Sequence, residues 1–513
     1  MEWRNVMLQI KHVTLTYKKD LRELVSELSF VLNNGDKAAL IGEEGNGKST
    51  LLKWIYDREL VESYIDSSGE VIVNDCIPGY LPQELSPEEK GKSIYEFLCE
   101  EPVFWECPPG ELAQLAARLR LPASLLYDEQ KMDTLSGGEK VKISMLRLLC
   151  RKPDVLLLDE PSNDIDIRTL QWLEQLILEW SGPVLFISHD ETLLEHTANR
   201  IIHLEQIRKR HQSRHTVANT DYRTYVEERT GGLRKQEQLA RKERSDYKKQ
   251  QEKLRRIEQT VAHQQNTITR QDPHGARLLK KKMHTVKAME RRFEKDHESM
   301  TEMPDVEEAI FMKFQQMSPL PHGKTVLDLT LPQLCVGERL LVQDIRLRVV
   351  GSEKICLIGD NGVGKTTLLK KIAEQLRART DIKAAYMPQN YDDLLLSGTS
   401  GEMTPAEFLT QTGTKDEITQ IRTFLGSLKY TADEMSHSVR ELSSGQKAKL
   451  LLLKICMSDA NVLILDEPTR NFSPLSNPVI RTMLKGYKGA IISASHDRKY
   501  IEEVCDRVYE LRR

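Results

Sequence analysis

Short apolar runs alternate with amphipathic helical patterns along most of the chain. The run VLLLD at 155–159, for example, precedes a helical pattern at about 167–180, and the run VLFIS follows at 184–188. Apolar runs of this length are typical of strands that are buried on both faces, and their alternation with helices predicts a largely parallel sheet. The expected fold class is therefore α/β.

The same pattern occurs twice. The segment GEEGNGKST at 42–50 returns as GDNGVGKTT at 359–367, and four further motifs return in the same order, each 306 or 307 residues further along. The phosphate-loop copies are 317 residues apart. One such match would be weak evidence, but five motifs in the same order, four of them at a nearly constant offset, exclude coincidence. The sequence therefore predicts two tandem nucleotide-binding domains, at 1–215 and 306–513.

The segment between the two copies has a different periodicity. Apolar side chains follow heptad spacing in two stretches, and the turn signal DPHG at 272–275 separates them. This pattern predicts an antiparallel helical hairpin over 216–305, with its tip at about 264–280 and an arm of about 40 residues that reaches roughly 60 Å. The heptad positions are Tyr247, Leu254, Ile257, Val261 and Ile268, followed by Leu279, Met283, Val286, Met289 and Phe293.

Each copy contains a glycine-rich loop of the kind that wraps phosphate groups. Glycines let backbone N–H groups surround the phosphates, a lysine adds positive charge, and a hydroxyl binds Mg²⁺. A single match can be only a turn before a helix, whereas a pair of matches predicts two ATP sites. The candidate ATP-binding residues are Gly42, Gly45, Gly47, Lys48, Ser49 and Thr50 in the first copy, and Gly359, Gly362, Gly364, Lys365, Thr366 and Thr367 in the second.

Two adjacent carboxylates end the apolar runs at 155–160 and 462–467. We predict that Asp159 and Asp466 hold Mg²⁺, and that Glu160 and Glu467 orient or deprotonate the attacking water. An acidic residue at a strand end is often only a helix cap, but the phosphate loop upstream favours the metal and catalytic roles.

The segments LSGGE at 135–139 and LSSGQ at 442–446 resemble the signature motif of ABC ATPases. The resemblance implies that the serine hydroxyl and glycine amides of each signature bind the γ-phosphate held by the other copy. On this basis the signature residues Ser136, Gly137 and Gly138 complete the site of Lys365, and Ser443, Ser444 and Gly445 complete the site of Lys48.

Further motifs extend the resemblance. Gln83 in YLPQE and Gln389 in YMPQN match the Q-loop, which implies contacts with Mg²⁺ and the attacking water, and about 50 residues separate each from its signature. The arm subdomain, at about 84–134 in the first copy, should therefore be short. His189 and His496 match the switch histidine. Tyr17 resembles the residue that stacks on adenine, whereas the same spacing gives Leu334 in the second copy.

Basic charge is concentrated between the two copies. Residues 231–300 contain 19 Lys or Arg and 10 Asp or Glu, a net of +9, whereas the whole chain carries −3. This distribution is expected of an arm that binds a polyanion, although a solvated helix with many ion pairs would have a similar composition.

Cysteine spacing and hydropathy exclude other classes of protein. The eight cysteines include no C-x-x-C pair, which argues against a zinc site, an iron–sulfur cluster and a secreted disulfide framework. No window approaches the roughly 18 uncharged apolar residues that a spanning helix needs. We therefore expect a cytoplasmic protein with reduced thiols and no membrane domain of its own.

Two such domains joined by a basic helical hairpin resemble the ABC-F family of translation factors. The resemblance implies a monomeric ATPase that closes on two ATP molecules, binds the ribosomal E site, and points its hairpin at P-site tRNA and the peptidyl-transferase centre, with hydrolysis driving release. A housekeeping factor of this family is one alternative. The ATPase subunit of an importer is another, although it has no need of a basic hairpin.

The D-loop of the second copy departs from the usual family pattern. The segment PTRNFSPLS at 468–476 resembles that of members that protect ribosomes from lincosamides, streptogramin A and pleuromutilins. Asn471, Ser473 and Ser476 replace the expected residues, whereas Asp164 and Asp166 remain in the first copy. The two ATP sites are therefore expected to be inequivalent.

Overall fold

The computed structural model describes residues 7–73, 76–207, 212–267, 273–298, 300–301, 303, 320–337, 339–396, 398, 400–428 and 430–512. The chain divides into two compact units. One unit, Met1–Tyr222 together with Glu307–Arg513, contains both repeated domains, and the other is Arg223–Val306.

The strands of the first domain form two sheets. They are β1 (Met7–Tyr17), β2 (Glu23–Asn33), β3 (Lys37–Ile41), β4 (Ile65–Val73), β5 (Pro78–Leu81), β6 (Val155–Asp159), β7 (Val184–Ile187), β8 (Arg200–Ile207) and β9 (Gln212–Ala218). The larger sheet has the order β5-β6-β7-β3-β8-β9 and is parallel except for the β8–β9 pair, whereas β2-β1-β4 is antiparallel. The predicted α/β fold with a largely parallel sheet is confirmed, and β9 carries the first domain to Ala218, slightly past the predicted boundary at 215.

The helices of the first domain are short where prolines interrupt the chain. They are α1 (Lys48–Tyr56), α2 (Glu59–Glu62), α3 (Pro87–Gly91), α4 (Ile94–Cys99), α5 (Pro102–Glu106), α6 (Pro109–Arg118), α7 (Gly137–Cys150), α8 (Ile167–Glu179) and α9 (Glu191–Thr197). Proline is tolerated in the first turn of a helix because the N–H that it lacks has no partner there. Pro87, Pro102 and Pro109 each begin a helix, and α3–α6 form the short subdomain expected at 84–134.

Two long helices form the second unit, α10 (Tyr222–Thr267) and α11 (Pro273–Glu298). The backbone N–H of Thr301 donates a hydrogen bond of 2.7 Å to Oε2 of Glu243. The chain that leaves α11 therefore lies beside the middle of α10, as an antiparallel hairpin requires. Of the predicted turn at 272–275, residue 272 lies outside the described residues, whereas 273–275 form the first turn of α11. Most side chains of the predicted tip at 264–280 also lie outside the described residues.

Part of the predicted heptad seam is buried. Val261 and Val286 are 4% and 3% exposed, but Ile257 and Met289 are 38% and 44% exposed. Ala240 is fully buried, although the heptad pattern did not include it. Fewer apolar side chains of the hairpin are therefore buried than the periodicity predicts, and most of its surface faces solvent.

The second domain repeats the order of the first. Its strands are β10 (Thr325–Val336), β11 (Arg339–Val350), β12 (Lys354–Ile358), β13 (Ala384–Met387), β14 (Val462–Asp466), β15 (Ala490–Ala494) and β16 (Arg507–Glu510). Its helices are α12 (Lys365–Arg377), α13 (Asp392–Leu395), α14 (Pro405–Leu409), α15 (Lys415–Ser427), α16 (Ser444–Met457), α17 (Asn477–Lys485) and α18 (Arg498–Val504). The described parts of the chain include no helix long and apolar enough to span a membrane.

The strand order brings the predicted motifs together. The main sheet of the second domain has the parallel order β13-β14-β15-β12-β16. Ligands of such sheets bind beyond the carboxyl ends of the strands. The phosphate loops follow β3 and β12, the paired carboxylates end β6 and β14, and the histidines follow β7 and β15, so each set meets at one edge. Every residue of β6 and β14 is buried, which fixes the carboxylates rigidly.

Candidate active sites

Each phosphate loop is preformed around its lysine. Lys48 begins α1, and its Nζ donates hydrogen bonds to the carbonyl oxygens of Gly42 and Glu43 at 2.8 and 2.9 Å. Lys365 begins α12 and bonds in the same way to Gly359 at 2.8 Å and to Asp360 at 3.2 Å. These carbonyls hold each lysine at the mouth of its loop, where a phosphate oxygen can replace them.

The glycines of both loops adopt backbone angles that favour glycine. Gly45 and Gly47 have φ of 79° and 87°, and Gly362 and Gly364 have φ of 73° and 108°. At Gly42 a Cβ would lie 2.3 Å from the carbonyl oxygen of Leu204. The predicted hydroxyl residues then fall in the first turn of the following helix, Ser49 and Thr50 in α1 and Thr366 and Thr367 in α12.

Hydroxyl and carboxylate groups suited to Mg²⁺ meet beside each lysine. Ser49 Oγ donates to Asp159 Oδ1 at 2.8 Å, and Tyr80 OH donates to Asp159 Oδ2 at 3.2 Å. Burial raises the pKa of Asp159 to about 6. In the second domain Oδ2 of the buried Asp466 has no hydrogen-bond partner within the described residues. Hard oxygen ligands of this kind, with room for phosphate and water, fit Mg²⁺.

The first glutamate and histidine form an ion pair. Nε2 of His189 lies 3.0 Å from Oε1 of Glu160, and Nδ2 of Asn163 donates to Oε2 at 2.6 Å. Burial alone would raise the pKa of Glu160, but His189 and Lys48 lower it to about 2. Burial alone would lower the pKa of His189, but Glu160 raises it above its usual value. Each member of this pair therefore stabilises the charged form of the other.

The second pair differs. Nε2 of His496 lies 3.8 Å from Oε1 of Glu467, whose other oxygen accepts from the backbone N–H of His496 at 3.2 Å. Burial and the neighbouring Asp466 raise the pKa of Glu467 to about 7. Burial and Lys365 lower the pKa of His496 to about 4. At neutral pH the second histidine is therefore neutral and the second glutamate is only partly ionised.

The signature of the second domain lies against the phosphate loop of the first, an arrangement that we call site 1. The N–H of Gly445, in the first turn of α16, donates to Oε2 of Glu44. Nζ of Lys449 lies 3.3 Å from Oε1 of Glu43. The cavity that these residues share with Ser443 has a volume of only about 10 Å³.

The signature of the first domain faces the phosphate loop of the second across site 2. Ser136 and Gly137 line a cavity of about 780 Å³ together with Lys365, Thr366 and Glu467. Ser136 caps α7 by accepting from the backbone N–H of Glu139 at 3.3 Å, and Gly138 follows it in the first turn. At site 1 the corresponding signature glycine, Gly445, contacts a carboxylate of the phosphate loop.

The D-loop of the first domain crosses to the second domain. Oδ1 and Oδ2 of Asp164 each lie 2.8 Å from the guanidinium of Arg470. Nε2 of Gln389 donates to Asp164 Oδ1 at 3.3 Å, and the Asn361 side chain donates to the Asp164 carbonyl. Gln83 lines a cavity of about 710 Å³ together with Glu44, Glu160 and the signature residue Ser444. Neither Arg470 nor Asn361 was selected from the sequence.

The residue expected to stack on adenine differs between the domains. Tyr17 ends β1, and its ring lies 6.2 Å from that of Tyr64. Leu334 is fully buried, so it cannot contact a base. Val336 ends β10 as Tyr17 ends β1, and it lines the site 2 cavity with Arg339 and Leu341. The connection after β10 is shorter than that after β1, which is why constant spacing points to the wrong residue.

Ion pairs join the two domains beside the histidines. The guanidinium of Arg481 binds both carboxylate oxygens of Glu191, and the two side chains are 3% and 5% exposed. Lys499 Nζ lies 3.3 Å from Glu191, and Arg498 bonds to Glu174. The first domain supplies the acidic groups of these contacts and the second supplies the basic ones.

Comparison with known proteins agrees with this geometry. The ATP-binding family described as ABC transporter matches residues 25–163 and 342–470. The chain is 27% identical to the ribosome protection protein VmlR of Bacillus subtilis, over 96% of this chain and 85% of VmlR. It is 24% identical to the ATP-binding protein Uup of Buchnera aphidicola, over 98% of this chain and 80% of Uup. Its fold is similar to archaeal ribosome recycling factor aABCE1, with a TM-score of 0.57, 19% identity and coverage of 97% and 87%.

Proposed function

The chain belongs to the ABC transporter family of ATP-binding proteins, and from this premise we propose that it is an ABC-F ATPase that acts on the ribosome. It hydrolyses ATP, and its cofactors are ATP and Mg²⁺. The single observation that carries the ribosomal part of the proposal is the exposed basic surface of α10 and α11.

In the proposed reaction each phosphate loop binds one ATP. Lys48 and Lys365 neutralise phosphate charge, and the hydroxyl and carboxylate pairs beside them hold Mg²⁺. When Mg²⁺ is bound, it neutralises part of the negative charge of the phosphates. Glu160 and Glu467 orient the attacking water and accept its proton, while the histidines and the Q-loop glutamines position it. We expect the signature of the opposite domain to complete each site by binding the γ-phosphate.

The basic surface supports binding to RNA. Every described Lys and Arg side chain from 234 to 292 is exposed. Exposed lysine and arginine bind RNA through phosphate contacts that release counterions, so affinity falls steeply with salt. Two of the related proteins named above, VmlR and aABCE1, carry ribosomal functions in their names. We therefore propose that the polyanion bound by the hairpin is the ribosome.

The reach of the hairpin supports a more specific proposal. The 46 residues of α10 span about 69 Å and the 26 residues of α11 about 39 Å. We propose that the ATP-closed protein binds the E site, and that the hairpin extends to P-site tRNA and the peptidyl-transferase centre, where it protects translation from antibiotics. ATP hydrolysis then permits release.

Ribosome co-sedimentation with and without ATP tests the proposal. We expect ATP-dependent binding, and we expect the triple substitution Lys248→Gln, Lys253→Gln and Lys282→Gln to weaken it. The slope of log affinity against log salt should become shallower by about 0.7 to 0.9 for each substituted lysine that binds a phosphate. The matched control replaces Lys19, Lys415 and Lys488, exposed lysines of the two domains, with glutamine. An equal effect of both triple substitutions would remove the hairpin from the binding surface.

Shortening the hairpin tests the antibiotic role. Deletion of six residues from each helix end, on either side of 268–272, withdraws the tip by about 9 Å. We expect the shortened protein to retain ATPase activity and ribosome binding but to lose its effect on the inhibitory concentration of drugs that bind the peptidyl-transferase centre. If the intact protein raises no such concentration, the housekeeping role is the correct one.

A further inference from the structure

The signature helix of site 1 already has an anionic partner. Helix N-termini leave backbone N–H groups without partners inside the helix, and these groups attract anions. In the first turn of α16 the hydroxyl of Ser443 accepts from the N–H of Gln446 at 3.3 Å, whereas the N–H of Gly445 donates to the carboxylate of Glu44. Glu44 therefore lies where the signature is expected to bind the γ-phosphate.

Glu44 lies between a small cavity and a large one. The small cavity, which it shares with Ser443 and Gly445, measures about 10 Å³, scarcely the volume that one water molecule needs. The large cavity, of about 710 Å³, is also lined by Glu160 and the signature residue Ser444. The neighbouring pair, Glu43 and Lys449, has side chains only 8% and 10% exposed and fastens the same helix to the same loop. Burial raises the pKa of Glu44, whereas His189, the N–H of Gly445 and Lys48 oppose this rise.

The equivalent position in site 2 is neutral. The phosphate loop there reads GDNGVGKTT, which places Asn361 where the first loop has Glu44. The Asn361 side chain donates to the carbonyl of Asp164. The signature residue Ser136 faces the cavity of about 780 Å³, which has the size of a nucleotide site.

We propose that Glu44 is an intramolecular substitute for the γ-phosphate at site 1, and that ATP must displace it before the second signature can bind the nucleotide. The carboxylate holds the two domains together at site 1 when no nucleotide is bound. ADP, which has no γ-phosphate, leaves this contact in place. Glu44 thus sets the preference of site 1 between ATP and ADP. The proposal concerns nucleotide binding and does not rest on a ribosomal function.

Hydrogen exchange of the signature helix tests the contact directly. In the nucleotide-free full-length protein, Glu44→Gln should speed exchange of the Gly445 amide at least tenfold, because its acceptor loses charge, and ATP should restore protection. The control Glu129→Gln changes an exposed carboxylate elsewhere in the first domain and should leave this amide unchanged. Unaltered exchange in Glu44→Gln would show that Glu44 does not hold the helix, and would overturn the proposal.

Nucleotide affinity tests the preference for ATP or ADP. In a Lys365→Ala background, where binding reports site 1, Glu44→Asn should tighten ATP at least fivefold and ADP less than twofold. In a Lys48→Ala background the reverse change, Asn361→Glu, should weaken ATP at site 2. Equal gains for ATP and ADP, or weaker ATP binding in Glu44→Asn, would overturn the proposal. Urea unfolding of each variant identifies any that lose their fold, and Glu44→Asp, which keeps the charge, should behave like the parent protein.

Discussion

The two ATP sites share one set of motifs but differ in almost every contact between the domains. At site 1 a carboxylate of the phosphate loop accepts a hydrogen bond from the opposite signature. At site 2 the signature faces a cavity of about 780 Å³, and an asparagine takes the place of that carboxylate. The catalytic pairs differ as well, since Glu160 is ionised beside His189 and Glu467 has a pKa of about 7.

This comparison shows how a repeat can diverge while its motifs stay intact. The residues predicted to contact phosphate and Mg²⁺ are matched between the copies, whereas the residues that contact the other domain are not. Asp164 of the first D-loop binds Arg470, but its counterpart Asn471 carries no charge with which to bind a basic group in return. On the proposal for Glu44, this divergence lets site 1 hold the domains together through a carboxylate that site 2 lacks.

The largest expected effect comes from the two glutamates. Glu160→Gln with Glu467→Gln should reduce steady-state hydrolysis about 10³-fold, because general base catalysis is lost, while ATP binding persists. Of the single variants, Glu467→Gln should retain less activity, since Asn361 at site 2 offers no carboxylate to compete with the γ-phosphate. Phosphate release and equilibrium nucleotide binding measure the two effects. Full turnover in the double variant would exclude these carboxylates, and a greater loss in Glu160→Gln would reverse the comparison.

The ion pair between the domains should have the next largest effect. Arg481→Met leaves Glu191 buried with only Lys499 near it, and removal of one partner from a buried pair costs about 3 kcal/mol. We expect a corresponding fall in the stability of the joined domains, measured by urea unfolding. Glu191→Gln with Arg481→Met should recover part of that stability, because the unpaired charge is gone. The control Arg512→Met changes an exposed ion pair and should have little effect.

The sequence predicted what depends on local spacing. The phosphate loops, paired carboxylates and signatures were found because glycine, lysine and acidic residues must stand at fixed intervals within one domain. The sequence could not predict two contacts, Glu44 with Gly445 and Glu191 with Arg481. The residues of these pairs lie 401 and 290 positions apart along the chain. The spacing that points to Leu334 fails because the connection between β10 and β11 is shorter than its counterpart. Heptad spacing likewise predicted more burial than the hairpin has.

Exchange of the D-loop residues should give a smaller effect. Asp164→Asn removes the charge that binds Arg470, and because Asp164 is about half exposed the loss of stability should be about 0.5 to 1 kcal/mol. Hydrolysis at site 2 should fall twofold to fivefold, since Gln389 loses the same partner. The reverse exchange, Asn471→Asp, places a carboxylate beside Glu44 and should weaken the contact at site 1. Hydrolysis rates in the Lys365→Ala background report site 1, and those in the Lys48→Ala background report site 2, so they assign each effect to a site. A larger decrease at site 1 from Asp164→Asn would contradict the contact of Asp164 with the second domain.

The smallest expected effect concerns the base. Val336 is 53% exposed at the end of β10, where the first domain has Tyr17, and it lines the site 2 cavity. Val336→Tyr should add a stacking surface for adenine worth about 0.5 to 1.5 kcal/mol, a gain of roughly twofold to tenfold in ATP affinity at site 2. The gain should be absent for tripolyphosphate, which has no base to stack, and this difference separates stacking from a change in the phosphate loop. Tyr17→Val in the first domain should produce the opposite change at site 1. If Val336→Tyr alters ATP and tripolyphosphate binding equally, adenine does not lie against the end of β10, and Arg339 becomes the next residue to test.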